Sequence, residues 1–191
     1  TDTFRYVEQL GRLAKLGVQV VMHNTLAASD YALVDEETLQ PRPSYWASVL
    51  WRRLMGTTVL DAGPSPAPGV HVFAHCLAGR PGGVALLAVN TDRNAPQALS
   101  LPPKAGRYTL ASSAGLQSQS VELNGEPLAA AKDSTVPPLR GVPVPAGRAS
   151  LPPAIFAACC PISMSKHLTS FPFWLRIASR ATAVLPVLRS P

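Results

Sequence analysis

Gly17-Val18-Gln19-Val20-Val21-Met22-His23-Asn24 is the stretch on which the fold turns. Val18 to Met22 is short, β-branched and nearly all apolar. A strand buried on both faces, as in a parallel sheet, has this pattern. Just upstream, Phe4, Val7, Leu10, Leu13 and Leu16 recur at three-residue steps, close enough to the helical period to form one apolar stripe. Thr1 or Asp2 can cap the start of that helix, and Gly17 stands where a helix ends in the left-handed conformation. Downstream, His23 to Pro43 is a long polar loop. A second helix is predicted from Pro43-Ser44, with Trp46, Val49, Leu50 and Leu54 on one face and Gly56 as its stop. Helix, strand, loop and helix make one and a half units of an α/β repeat, too little to close a sheet.

Past Gly56 the character changes. Thr57 to Leu60 is a strand candidate, followed by the turn-rich Gly63-Pro64-Ser65-Pro66-Ala67-Pro68-Gly69. Val70 to Cys76 alternates, Gly83 to Asn90 is strongly apolar, and Arg107 to Leu110 is a further strand. Ser120 to Leu123 alternates and runs into Asn124-Gly125, a strong hairpin signal. Short strands at such spacing predict an antiparallel β-sandwich. A last strand begins at Ala154 to Ala158, after which Cys159 to Lys166 shows no alternation. The expected organisation is therefore residues 1–56 as a piece of an α/β domain, 57–158 as a β-sandwich, and 159–191 as an atypical, poorly ordered tail.

Composition agrees. Charged residues make up 15% of the 191, with 20 prolines and 13 glycines, which argues against a helix bundle. The net charge of +6 permits a polyanionic partner. Arg52-Arg53 is the only adjacent basic pair, however, and no run resembles a nucleic-acid patch. The three cysteines, Cys76, Cys159 and Cys160, lack metal-ligand spacing, so no zinc site is expected and no cofactor is implied. An oxidising compartment would allow one disulfide between Cys76 and the later pair. Residues 161–191 carry charges together with Pro172 and Pro186, so no membrane span is read there. The Ala-, Pro- and Arg-rich usage points to a high-GC bacterial source.

The string from Met22 to Leu60 (MHNTLAASDYALVDEETLQPRPSYWASVLWRRLMGTTVL) resembles heparanase and its bacterial relatives in glycoside hydrolase family 79. The landmarks are Tyr31 before Leu33-Val34-Asp35-Glu36, then Pro43-x-Tyr45-Trp46 and Arg53-Leu54-Met55-Gly56. His75-Cys76, Ser120 to Gly125 and Pro137-Pro138-Leu139 continue the likeness, which runs from about residue 3 to about residue 156. It implies a (β/α)8 TIM barrel carrying a β-sandwich, and retaining endo-β-glucuronidase chemistry on heparan sulfate or related glycans. A secreted or periplasmic parent protein is the matching expectation.

Retention requires two carboxyl groups about 5–5.5 Å apart. By the family's register, only helix seven (residues 3–16), strand eight (18–22) and helix eight (44–55) of the barrel are present, and both catalytic glutamates fall before Thr1. The chain is thus expected to be a C-terminal fragment, catalytically silent alone, whose partners are an acidic polysaccharide and the remainder of the barrel domain. Glu8, Asp35, Glu36 and Glu37 are not expected to replace the missing pair.

Barrel loops at the C-terminal ends of strands face the ligand. The resemblance therefore implies substrate contacts from His23, Asn24, Asp30 and Tyr31, with Tyr31 helping to hold the uronic acid. Ser29-Asp30 stands where the family has a small Gly-Asn-like pair. Trp46 and Trp51 are expected in the core rather than as sugar platforms. The resemblance also implies that Cys76 pairs with Cys159 or Cys160. Read instead as a non-catalytic module, the sandwich would bind glycan or protein.

Overall fold

The computed structural model describes residues 2–92, 95–101, 105–115, 117–131, 135–144, 147–151 and 155–161. Two helices come first, α1 (Asp2–Lys15) and α2 (Pro43–Leu54). Ten strands follow: β1 (Met55–Leu60), β2 (Val70–Leu77), β3 (Gly83–Asn90), β4 (Gln97–Leu101), β5 (Gly106–Ala111), β6 (Glu122–Leu123), β7 (Glu126–Pro127), β8 (Val142–Pro143), β9 (Gly147–Leu151) and β10 (Ile155–Pro161). The main sheet has the order β1-β2-β3-β10-β5-β6-β7, with β8 also on β5, and its pairings are antiparallel. A separate antiparallel pair joins β4 to β9.

The sheet has a core on each face. Val84, Leu86 and Ala88 of β3 pack with Val70 and Ala74 of β2, Ala62, Leu99, Leu101, Ala105 and Val144. The alternate residues Ala85, Leu87 and Val89 face Val7 of α1 and Trp46, Ala47, Leu50 and Leu54 of α2, along with Phe73. Because both faces are covered, every residue of β3 is buried, which explains its unbroken apolar run. The second core joins residues from either side of residue 56. Trp46 is 1% exposed, as its place on the apolar helix face predicts, and Trp51 sets its ring edge on His75 at 5.2 Å.

α1 is able to lie so close to the sheet because Gly11 has no side chain. A Cβ there would run into the ring of Phe73. Gly17 takes φ +83 and stops the helix, as expected. Gly56 does not. α2 ends at Leu54 and passes straight into β1, where Gly56 lies in the strand; a Cβ on it would stand 2.5 Å from the Cys76 carbonyl. Asn124 and Gly125 take φ 57 and 93, the two positive values of a tight hairpin turn between β6 and β7. The four-residue strand predicted there shortens to Glu122–Leu123.

Three expectations need correction. Val18–Met22 is not a strand: no neighbouring backbone among the described residues pairs with it, and Val20 and Met22 are 72% and 86% exposed. The atypical tail does not begin at Cys159. β10 continues through Cys159, Cys160 and Pro161, which sit opposite Ala85, Val84 and Gly83 on β3. The apolar run from Ile155 onward fills the slot between β3 and β5. The tail expectation for residues 162–191 lies outside the described residues. Finally, Cys76 is free. Cys76 and Cys159 flank β3 on opposite sides, opposite Val84 and Ala85. Two strand spacings, about 9.5 Å, exceed the Cα separation of about 4.4–6.8 Å that a disulfide spans.

Candidate functional site

The loop between the helices folds on its own hydrogen bonds. Val34 bridges Pro41, and backbone N–H groups of Val34, Asp35 and Arg42 donate to the carbonyls of Leu26, Gln40 and Leu33 at 2.9 Å. Ala32 is buried at its centre. Asp35 closes the tip: its Oδ1 accepts from Thr38 N at 2.9 Å and from Thr38 Oγ1 at 2.8 Å. Arg42 ties the tip to the base, donating from Nη2 to Asp35 Oδ2 at 2.9 Å and from Nη1 to the Asp30 carbonyl. The hydrogen bonds from Thr38, then that from Arg42, lower the Asp35 pKa to about 2.

On this scaffold three of the four expected site residues come together. The His23 ring lies 6.3 Å from the Tyr31 ring, tilted by 43°. Asn24 Nδ2 donates to Tyr31 Oη across a long 3.5 Å. His23 is half-buried and its Nδ1 lies 2.9 Å from the Thr25 carbonyl. A carbonyl can only accept, so Nδ1 carries a proton. Tyr31 stays 42% exposed. The fourth residue, Asp30, serves through its backbone carbonyl, which Arg42 takes.

Sequence reasoning missed two members. Tyr6 of α1 sets its ring edge on His23, with centroids 5.4 Å apart at 75°. It lies beside the apolar stripe rather than in it, and its amphipathic ring was the available signal. Arg42 stands just before Pro43 in extended backbone, φ −85 and ψ 169, where a residue preceding proline belongs. Nothing in its spacing foretold its grip on the loop.

Two of the carboxylates here, Glu8 and Asp35, are engaged otherwise. Glu8 accepts from Arg12 at 2.7 Å, and Asp35 is held by Thr38 and Arg42. Among the described residues no three His, Cys, Asp or Glu side chains converge as a metal site would require. No helix among them is long and apolar enough to cross a membrane.

Comparison with known proteins gives the family. The chain is 36% identical over 166 residues to heparanase of Mus musculus, covering 78% of this chain and 30% of that protein. The sequence is heparanase-like. It is also 34% identical over 145 residues to baicalin-β-D-glucuronidase of Scutellaria baicalensis, covering 73% of the chain and 27% of that enzyme. A third relative is inactive heparanase-2 of Mus musculus, 31% identical over 174 residues, with 80% and 29% covered. The heparanase-like chain thus spans less than a third of the length of each. No protein-family model matches it.

Proposed function

We propose that this chain is part of a retaining glycoside hydrolase of family 79 type acting on a uronic-acid-containing polysaccharide, heparan sulfate among them. In this reading residues 1–56 are the end of a TIM barrel and 57–158 an accessory β-sandwich. The loop of residues 23–31 supplies one wall of the substrate cleft. The observation that carries the reading is the convergence of His23, Asn24 and Tyr31 on one loop of a heparanase-like sequence.

Such a wall binds rather than cleaves. A general acid needs a pKa near its working pH. Asp35, held at about 2, is unsuited to that work. In this reading the paired carboxyl groups of a retaining mechanism come from the remainder of the barrel. Tyr31 and His23 offer ring faces and edges to a sugar, and Asn24 and the tyrosine hydroxyl offer hydrogen bonds. A second reading, a non-catalytic binding module, draws support from the likeness to inactive heparanase-2 over 80% of the chain.

Calorimetric titration with a glucuronate–N-acetylglucosamine tetrasaccharide tests the reading, with a neutral N-acetylglucosamine tetrasaccharide as control. The uronate-bearing probe is expected to bind without being cleaved. Tyr31→Ala is expected to weaken it about tenfold, the worth of one good hydrogen bond to a charged group plus ring contact. Equal affinity for both probes, or an unchanged Tyr31→Ala variant, would remove the cleft-wall role.

A further inference from the structure

We propose that Tyr6 is a positioning residue for the sugar-facing loop: it clamps the His23 imidazole beside Tyr31, leaving Nε2 for the uronic acid. The inference rests on the reading of residues 23–31 as a cleft wall. Tyr6 itself is anchored from two sides. A buried hydrogen bond of 3.0 Å joins Thr3 Oγ1 of α1 to Ser44 Oγ of α2 and fixes the two helices against each other. One helical turn further along each, Tyr6 Oη and Ser48 Oγ share a hydrogen bond of 3.2 Å. Steps of three and four residues keep these contacts on one face of each helix. Ser48 is in turn held by its bond to the Ser44 carbonyl at 2.7 Å.

A phenol fixed at its hydroxyl can orient only what touches its ring. That neighbour is His23, edge-on at 5.4 Å. The imidazole then has three neighbours: the Tyr6 ring, Thr25 O at Nδ1, and the Tyr31 ring. Among the described residues nothing takes Nε2. Chain connectivity explains why such a clamp is useful. His23 follows the exposed stretch from Gly17 to Met22, which has no strand partner among the described residues to set its direction. Without Tyr6 the imidazole would hang from an unsupported segment, and its ordering would have to be supplied on binding.

The test uses the whole chain and the glucuronate–N-acetylglucosamine tetrasaccharide. Variants Tyr6→Leu, Tyr6→Phe, His23→Ala and the double variant Tyr6→Leu/His23→Ala are titrated, and the His23 ring protons are followed by NMR. Tyr6→Leu is expected to weaken binding about tenfold, as His23→Ala does, and the double variant to be no worse than either. Tyr6→Phe keeps the ring but loses the bond to Ser48, and is expected to weaken binding by about threefold. The ring-current shift that Tyr6 contributes to the His23 protons should persist in Tyr6→Phe and vanish in Tyr6→Leu. Additive losses in the double variant, parent-like binding by Tyr6→Leu, or an unmoved His23 signal would each overturn the clamp. If Tyr6→Leu does not fold, Ser48→Ala frees the phenol and is expected to weaken binding by a smaller factor; no change would count against the clamp. Failure of the parent chain itself to bind would instead overturn the cleft-wall reading, and the clamp with it.

Discussion

Gly83–Asn90 and Leu16–Met22 are both apolar runs, and they meet opposite fates. Every residue of the first is buried, whereas Leu16, Val20 and Met22 of the second are 79%, 72% and 86% exposed. Side-chain chemistry does not separate them; neighbours do. β3 has β2 and β10 hydrogen-bonded on either side, helices over one face and β4 over the other. The Val18–Met22 segment has none of these among the described residues. Strand propensity is an ability to fit a pleated, half-buried surface, so without that surface it has nothing to act on.

The covered side can be broken at Trp46, the largest fully buried side chain among the described residues. Trp46→Ala removes a ring that holds α2 against the sheet. Removing a buried aromatic costs about 3–5 kcal/mol, a large share of a domain's stability. Urea unfolding is expected to show a lowered midpoint at unchanged slope. A loss below about 1 kcal/mol, within reach of a surface substitution, would mean that the helices contribute little to the sheet's stability, and the contrast would collapse.

Acid distinguishes the two regions more finely. His75 is buried beneath the α2–β1 junction, its Nδ1 bonded to the Gly56 carbonyl at 2.7 Å and its Nε2 without a partner. Burial lowers its pKa from 6.5, only partly opposed by the bond to Gly56. Below 6.5 the unfolded chain takes up a proton that the folded imidazole refuses, so stability is full above that pH and falls as pH drops toward the folded value. Asp35, in the loop, has its pKa lowered from 3.8 to about 2. Its contribution is present above 3.8 and is lost only as pH falls from there to about 2. Urea midpoints measured against pH should therefore decline from two onsets, an upper one below 6.5 and a lower one below 3.8. His75→Gln should remove the upper one and leave the lower. A single decline from the lower onset would show that the imidazole is not held neutral by the core.

The same contrast explains what could be read in advance. Local signals served well where they were self-sufficient. The α1 helix with Gly17 at its end, Pro43 at the start of α2, the apolar run of β3 and the Asn124-Gly125 turn stand where the residues put them. Leu16 of the α1 stripe, however, lies past the helix and is exposed. Signals that depend on distant partners did not. Gly56 reads as a helix stop, yet it lies in a strand because only a bare Cα fits against the Cys76 carbonyl. β4 and β9 are short, five-residue strands that pair with each other. At the candidate site, the resemblance singled out His23, Asn24 and Tyr31, and the structure brings their side chains together on one loop. Tyr6 and Arg42 were not legible, since their roles come from a contact across two helices and from a loop folded back on itself.

The smallest effect is expected on the uncovered side, and it is informative for being small. Val20 is 72% exposed and lies in no strand. Val20→Asp should change the stability of this chain by no more than about 0.5 kcal/mol, as surface substitutions usually do. In a longer polypeptide that supplies flanking strands, as the proposed barrel would, the same carboxylate would be buried without a partner. The cost there is several kcal/mol. Paired unfolding measurements on the two chains therefore read the environment of one residue directly. A near-zero effect in both would remove the barrel from the proposal, because a strand of that barrel cannot leave Val20 in water. A large effect in the short chain alone would show that Val18–Met22 is already packed, and that the two apolar runs differ less than their exposures indicate.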